Sequence, residues 1–309
     1  NRRCMKLPLR GIIPPIVTPL LESKTLDSTG LKNLIEHLLV GGVHGIFLLG
    51  TNGEGPSLGL GLKKQLIREA CKIINHRVPV LISITDTSFE ATLEIANYAQ
   101  KAGADAVVVA PPFYFPLSED EIINYFRELA PLLPLPFLVY NIPSCTKLNL
   151  SVTTIKKAKD FGAIGVKDSS GDRESLHAIL KEFKDSPTFS IIVGDELLLA
   201  DTILSGAHGG VPGGANFIPK LFVALYNACL NKDEHRINEL SNKVIRIDKT
   251  IYNVDNSPTR SIKAIKCALS IMGICYGHLA QPLRQLDTAQ RTKIKDSLTK
   301  FNVALTKRL

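Results

Sequence analysis

The sequence predicts an α/β fold, a (β/α)₈ TIM barrel with a C-terminal helical extension. Short apolar runs rich in β-branched residues alternate with longer amphipathic segments, about every 25 to 35 residues, which is the length of a strand and its crossover helix. The runs lack strict apolar–polar alternation, as is typical of parallel strands buried on both faces. About eight such units fill the chain to Tyr226, and eight right-handed crossovers close naturally into a barrel. An open doubly wound sheet is the main alternative, and it needs fewer strands and a nucleotide-binding loop.

The candidate strands are the apolar runs at residues 11–18, 45–50, 78–85, 106–110, 136–141, 163–168, 189–194 and 209–213. Helical spacing between them is clearest in Leu31, Leu34, Ile35 and Leu38. Helix starts are indicated by residues that cap free N–H groups, namely Ser28, Ser88, Ser118 and Ser151.

Only helical patterns follow the barrel, near residues 234–250, 259–272 and 288–306. We therefore expect residues 1–230 to form the barrel with the active site, and residues 231–309 to form a helical region packed on it. No intervening segment is rich enough in Gly, Ser or Pro to make this region independent.

Composition narrows the class of protein. Of the 309 residues, 45% are hydrophobic and 21% are charged, which is typical of a globular chain, and no apolar run reaches the roughly 20 residues of a membrane helix. Six scattered cysteines without a CxxC pair predict free thiols and a cytoplasmic location. Although the net charge is +8, bases and acids are interleaved and aromatic residues are only 6%, so we expect attraction of anionic substrates and no nucleic-acid or membrane partner.

Lys167 is the residue that most strongly suggests a chemistry. It ends the apolar run 163–166, and barrel enzymes place their reactive groups at the C-terminal ends of strands. Burial disfavours a charged ammonium group, and a neutral amine can attack a ketone to form a Schiff base. The alternative interpretation is a lysine that extends into solvent or pairs with Asp168.

Tyr140 ends the preceding strand. Adjacent parallel strands lie about 4.8 Å apart, so its phenol is expected within reach of the Lys167 amine. Carbinolamine collapse and aldol cleavage both require proton transfer, which a phenol can supply. A buried tyrosine with a satisfied hydroxyl is the alternative.

A Gly-rich turn at residues 50–55 follows the second strand. Its successive backbone N–H groups suit an anion such as the carboxylate of a keto acid, and the Thr51 hydroxyl can relay protons to Tyr140. A phosphate is the competing ligand, but no Walker lysine follows and the G-x-G-x-x-G spacing is absent.

The seven histidines are scattered, form neither HxH nor HExxH, and end no strand, so no metal site is expected. The predicted imine chemistry also requires no cofactor.

Four stretches together resemble the dihydrodipicolinate synthase / N-acetylneuraminate lyase family of class I, Schiff-base aldolases. They are residues 50–54, 140–143, 165–169 and 209–211, and the similarity extends along nearly the whole chain. The resemblance implies that Lys167 forms the Schiff base with a 2-keto acid such as pyruvate, and that Tyr140 transfers protons. An aldehyde is the second partner of the reaction, added to the bound keto acid or released from it.

The resemblance implies further roles. The backbone amides of Thr51 and Asn52 hold the carboxylate of the keto acid, Ser169 contributes to substrate binding, and the Val211 carbonyl faces the imine lysine. Tyr114 enters from a neighbouring subunit and is linked through the Thr51 hydroxyl to the first tyrosine. The resemblance therefore implies a homotetramer, a dimer of dimers.

Some positions depart from the synthases of this family. Cys145 stands where an arginine usually holds the carboxylate of the second substrate, Asn52 replaces a usual threonine, and Leu60 and Lys63 occupy positions of a lysine feedback site. We therefore expect a pyruvate-dependent aldolase that cleaves or forms a 4-hydroxy-2-oxo acid, such as a 2-keto-3-deoxy sugar acid. The alternatives are 4-hydroxy-tetrahydrodipicolinate synthase, N-acetylneuraminate lyase, a related dehydratase, and a non-catalytic pyruvate-binding regulatory protein.

Overall fold

A computed structural model describes residues 5–22 and 25–303 of the chain. Its main sheet has eight parallel strands, β1 (Gly11–Ile12), β2 (Ile46–Leu48), β3 (Val80–Ser83), β4 (Ala106–Val109), β5 (Phe137–Asn141), β6 (Gly165–Asp168), β7 (Ser190–Val193) and β8 (Gly209–Gly210). From β2 to β8 each strand pairs with its successor, and β8 pairs with β1. A parallel bridge between Pro15 and Phe47 joins the two ends of the sheet. The predicted (β/α)₈ barrel is confirmed.

The strands are shorter than the predicted runs, most of all at the first and last positions. The run predicted at 11–18 keeps only Gly11–Ile12 as a strand, because Pro14 and Pro15 have no N–H to donate to a ladder. A short antiparallel hairpin, Leu20–Glu22 with Thr25–Leu26, follows it and was not predicted.

In the described part of the chain, nine α-helices follow or flank the strands: α1 (Ser28–Val40), α2 (Leu60–Ile74), α3 (Phe89–Ala102), α4 (Glu119–Leu129), α5 (Pro143–Thr146), α6 (Val152–Asp160), α7 (Arg173–Phe183), α8 (Leu199–Leu204) and α9 (Pro219–Leu230). Ser88, Ser118 and Ser151 cap their helices as predicted. The prediction for Ser28 was wrong. Asp27 caps α1 by accepting a hydrogen bond from the Gly30 N–H, so Ser28 is the first helical residue.

Two apolar layers fill the molecule, one inside the barrel and one between the sheet and the helices. On β5, Val139 packs in the outer layer and Tyr140 in the inner one. On β6, Val166 packs outward, and the alternation of a strand turns the next residue, Lys167, inward. The inner layer comprises Leu9, Ile13, Phe47, Leu81, Ala106, Val108, Ala110, Leu138, Tyr140, Ile142, Ile192 and Val211.

Three further helices follow α9 within the described residues: α10 (Glu234–Ile247), which continues into a π-helical turn (Asp248–Tyr252), α11 (Arg260–Ile271) and α12 (Thr288–Lys300). Helix α10 packs on α9, and α11 packs against the segment after β8. Positions 304–306 of the predicted last helix, like Cys4, lie outside the described residues. The division of the chain at residue 230 stays a prediction.

Within residues 5–22 and 25–303, no helix combines the length and the apolar character needed to cross a membrane. Five described cysteines are free thiols; Cys145 is exposed, and the buried ones are Cys71, Cys229, Cys267 and Cys275.

Candidate active site

The pairing of β5 with β6 places Tyr140 directly opposite Lys167. The lysine is only 5% exposed, and its Nζ lies 3.8 Å from the centroid of the Tyr140 ring and 5.8 Å from that of Phe47. The amine therefore faces into the barrel between two aromatic rings. The alternative of a lysine extended into solvent is wrong.

Ser169 is the polar partner of the amine. Lys167 Nζ donates to Ser169 Oγ at 2.7 Å. The hydroxyl fits because residue 194 is glycine; a Cβ there would lie 1.9 Å from Ser169 Oγ. A small residue at the end of β7 thus leaves room for the hydroxyl that positions the amine.

Asp168 does not serve as the partner of Lys167, because its carboxylate is bonded elsewhere. It accepts hydrogen bonds from Asn141 Nδ2 at 2.8 Å and from Ser170 Oγ at 2.7 Å. Both Asn141 and Asp168 are buried. This network, which sequence reasoning missed, fixes the ends of β5 and β6, the strands that carry Tyr140 and Lys167.

The Gly-rich turn brings the Thr51 hydroxyl to the phenol. Thr51 Oγ1 and Tyr140 OH are 3.4 Å apart, and either can donate. The backbone is left-handed at Leu49 and Glu54, with φ of 62° and 56°. Thr18 Oγ1 donates to the Gly53 carbonyl at 2.6 Å. The turn is therefore held in an unusual conformation by specific contacts.

Asn52 and Val211 come to the same end of the barrel. The Asn52 side chain lies against the segment after β8, with Nδ2 3.0 Å from where a Cβ on Gly213 would stand. Val211 is buried in the inner apolar layer that includes Tyr140 and Phe47. Their predicted roles toward a carboxylate and an imine stay predictions.

Tyr114 is not brought to this site by the chain that carries it. It is 79% exposed, packs edge-to-face on Phe115 with ring centroids 5.2 Å apart, and lines a separate surface groove of about 610 Å³. Its predicted role beside Thr51, contributed from a neighbouring subunit, stays a prediction.

A cavity of about 370 Å³ opens beside Thr51 and Tyr140. No lysine or arginine is found among the described residues that line it. Its walls carry Glu54, Cys145, further hydroxyl groups (Ser57, Ser83, Thr85, Thr146, Thr259) and apolar side chains (Leu49, Pro56, Ala110, Phe113, Ile142, Ile262, Leu283).

Sequence reasoning also missed a buried ion pair beside the Gly-rich turn. Lys266 Nζ lies 2.6 Å from Glu54 Oε2, and the two side chains are 0% and 1% exposed. One signal was visible in the sequence, since Lys266 stands among the apolar residues of the predicted helix at 259–272.

Two half-buried histidines accept hydrogen bonds from the backbone. His44 Nδ1 accepts from the Ile12 N–H and His208 Nδ1 from the Ile191 N–H, both at 3.0 Å. Burial lowers the pKa of both imidazoles. In the described part of the chain, no three His, Cys, Asp or Glu side chains are grouped so that they could hold a metal ion.

A parallel barrel with a buried lysine and a phenol at its C-terminal end defines a class of enzymes that work through a strand-end amine. Comparison with known proteins identifies the family. The profile of the dihydrodipicolinate synthetase family matches residues 8–301. The chain therefore belongs to this family and is a carbon–carbon lyase.

Two relatives show the range of named activities. A putative 2-dehydro-3-deoxy-D-gluconate aldolase, YagE of Escherichia coli K12, is 32% identical over 297 residues, 95% of this chain and 97% of that protein. A 4-hydroxy-tetrahydrodipicolinate synthase of Polynucleobacter asymbioticus is 30% identical, covering 96% of each chain.

Two solved structures are closely similar. A dihydrodipicolinate synthase from Bacteroides thetaiotaomicron has 45% identity and a TM-score of 0.93, covering 96% of this chain and 100% of that one. YagE of Escherichia coli K12, solved in complex with pyruvate, has 31% identity and a TM-score of 0.90, with the same coverage.

Proposed function

We propose that the protein is a class I aldolase that captures pyruvate as a Schiff base on Lys167 and cleaves or forms a 4-hydroxy-2-oxo acid. The observation that carries the proposal is the buried amine, 3.8 Å from the Tyr140 ring and bonded to Ser169. The Thr51 hydroxyl, 3.4 Å from the phenol, completes a path for protons. The pyruvate complex of the related YagE supports the choice of keto acid.

Capture begins when the neutral amine of Lys167 attacks the C2 carbonyl carbon of the keto acid. Tyr140 transfers protons as the carbinolamine forms and then loses water, which leaves a protonated imine. In this proposal the backbone amides of Thr51 and Asn52 hold the carboxylate, and the Val211 carbonyl faces the imine nitrogen.

Cleavage follows from the electron demand of the imine. Tyr140, which gave up its proton when the protonated imine formed, takes the proton of the C4 hydroxyl, the C3–C4 bond breaks, and its electron pair forms an enamine as the aldehyde leaves. Tyr140 returns that proton to C3, and hydrolysis of the protonated imine by water releases pyruvate, regenerates the amine and gives the remaining proton back to Tyr140. Because the iminium nitrogen accepts the electron pair of the broken C3–C4 bond, the proposed cycle requires no cofactor.

The cavity beside Tyr140 selects an uncharged, hydroxylated aldehyde. Its walls offer several hydroxyl groups, and the residue in the position of a carboxylate-binding arginine is Cys145. An anionic aldehyde would lose water there without gaining a cationic partner. This favours a 2-keto-3-deoxy sugar acid, as in the name of the relative YagE.

The second candidate is 4-hydroxy-tetrahydrodipicolinate synthesis from pyruvate and aspartate semialdehyde. It is favoured by the 45% identity with the Bacteroides thetaiotaomicron synthase. A coupled assay with aspartate semialdehyde, beside a panel of 2-keto-3-deoxy sugar acids monitored by pyruvate release, separates the two. Imine formation without turnover of any substrate would instead indicate a regulatory protein.

Reductive trapping tests the central step. Pyruvate and borohydride should add one reduced pyruvyl group, which peptide mass spectrometry should map to Lys167. Lys266, the second buried lysine among the described residues, is paired with a carboxylate and is expected to stay unmodified. An adduct elsewhere, or none on Lys167, would refute the mechanism.

We also propose that the enzyme assembles as a dimer of dimers in the cytoplasm. The exposed Tyr114 and Phe115 support the assembly. A second copy that covers them would receive the Tyr114 side chain in its own site, near its Thr51. The free thiols support a reducing compartment.

A further inference from the structure

A buried ion pair ties the C-terminal helices to the Gly-rich turn. Glu54, the residue after Gly53, is paired with Lys266 in the middle of α11, and water is excluded from both side chains. Each side chain of the pair also makes a hydrogen bond to the backbone. Lys266 Nζ donates to the His278 carbonyl at 2.5 Å, and Glu54 Oε1 accepts from the Ala280 N–H at 2.8 Å.

The turn needs such support because its backbone is strained. Glu54 itself has φ of 56°, a left-handed conformation that is costly for a residue with a side chain. At the next position a Cβ would stand 2.1 Å from the Leu49 carbonyl oxygen, so only glycine fits. A charge pair fixed at both ends holds Glu54, and with it the backbone amides just before it.

Stability alone is a poor reason for a pair of this kind. Taking two charges out of water costs more than their attraction often returns, and apolar replacements of similar size are frequently as stable. What a buried pair does supply is a fixed position, since each charge is unfavourable anywhere but beside its partner.

We propose that Glu54 and Lys266 are positioning residues that set the backbone amides of Thr51 and Asn52 for the carboxylate of the keto acid. The inference rests on the proposed function, because it assumes that a keto acid is captured on Lys167. Neither residue of the pair touches the reacting atoms. They act through the turn, and the helices after the barrel are thereby part of the binding site.

The experiment compares two ketones in reductive trapping, pyruvate and acetone, which differ by the carboxylate. The variant is Glu54→Gln with Lys266→Met, which removes both charges and leaves neither buried alone. Half-maximal trapping of pyruvate should require about 10- to 100-fold more ketone than in the wild type, while trapping of acetone should be unchanged. In turnover, KM should rise more than kcat falls, since the carboxylate is held equally in ground and transition states.

A destabilised control separates positioning from folding. Ile294→Ala removes a fully buried side chain from α12, in the same helical region, and should lower Tm without changing the pyruvate-to-acetone ratio. If the double variant does not fold, Glu54→Asp, which keeps the charge and shortens the side chain, is expected to show the same selective loss for pyruvate.

Two results overturn the inference in distinguishable ways. A folded double variant that keeps the wild-type preference for pyruvate over acetone would make the pair purely structural. A wild-type protein that forms no adduct on Lys167 would remove the proposed function, and the inference with it.

Discussion

Tyr140 has two neighbours with different consequences for catalysis, the amine over its ring and the Thr51 hydroxyl at its phenol oxygen. Tyr140→Phe keeps the ring beneath Lys167 and removes only the group that moves protons. We expect turnover to fall about 100- to 10,000-fold, the usual contribution of general acid–base catalysis. The measurement is kcat for pyruvate release. Trapping of pyruvate at long incubation should still modify Lys167, and an unchanged kcat would contradict the assignment.

Cys145 is expected to decide which aldehydes are accepted. Cys145→Arg adds a cation at the wall of the cavity, where a carboxylate on the aldehyde would form a charge-assisted hydrogen bond. The KM for aspartate semialdehyde should fall about tenfold, which corresponds to roughly 1.4 kcal/mol. Ser144→Arg is the matched control. Ser144 is exposed and does not line the cavity, so an arginine there adds the same charge outside it. Equal effects of the two variants would show that net charge, and not contact with the aldehyde, is responsible.

At the scale of strands and turns, the sequence predicted what depends on local pattern. All eight strands were located, and the meeting of Tyr140 with Lys167 followed from their positions at the ends of successive strands. The link between Glu54 and Lys266 could not be predicted, because it depends on how α11 crosses the barrel. Apolar periodicity shows which side of a helix is buried, but it does not show which loop of the barrel that side packs against.

Glu196 links three elements near the same end of the barrel. It lies in the 3₁₀ turn after β7, accepts a hydrogen bond from the Gly214 N–H at 2.8 Å, and lies beside Tyr252 of the π-helical turn. The pKa of Glu196 is raised to about 7, chiefly by burial and also by the nearby charges of Asp195 and Asp248, while the Gly214 N–H and the Tyr252 hydroxyl oppose the rise.

This raised pKa predicts that stability falls as pH rises. The folded protein binds the Glu196 proton more tightly than the unfolded chain, whose value is near 4.5. The stability that this proton contributes is present below about pH 4.5 and is lost on the way to about pH 7, up to roughly 3 kcal/mol in all. Glu196→Gln keeps an acceptor for Gly214 and cannot titrate. The free energy of unfolding from denaturant melts at about pH 5 and pH 8 should therefore fall more for the wild type than for this variant. Parallel pH profiles would contradict the prediction.

Two concave surfaces formed by the described residues have different functions in the proposed assembly. The cavity beside Tyr140 belongs to the barrel of one chain, whereas the groove lined by Tyr114, Phe115 and Phe89 faces outward. Exposed aromatic side chains on a groove are typical of a protein interface. If a second copy covers this groove, each active site is completed by two chains.

Mixed assemblies test that arrangement. Tyr114→Phe and Lys167→Ala chains with different tags are co-expressed, and the doubly tagged species is purified. In a mixed dimer the chain that keeps Lys167 receives Tyr114 from its partner, so one site of the two is complete. About half of the wild-type kcat per mixed dimer is expected, although each parent alone is impaired. Light scattering on the same sample gives the oligomeric state.

The reciprocal mixture decides between the two possible sources of the tyrosine. A wild-type chain is paired with a chain that carries both substitutions, so that its only lysine-bearing site receives phenylalanine from the partner. If Tyr114 acts between chains, this mixed dimer should be far less active than the first, although the two contain the same residues in total. If Tyr114 acts within its own chain, the order of activities reverses, because the wild-type site then retains its own tyrosine. Equal activities would show that Tyr114 takes no part in proton transfer, and the exposed groove would need another explanation.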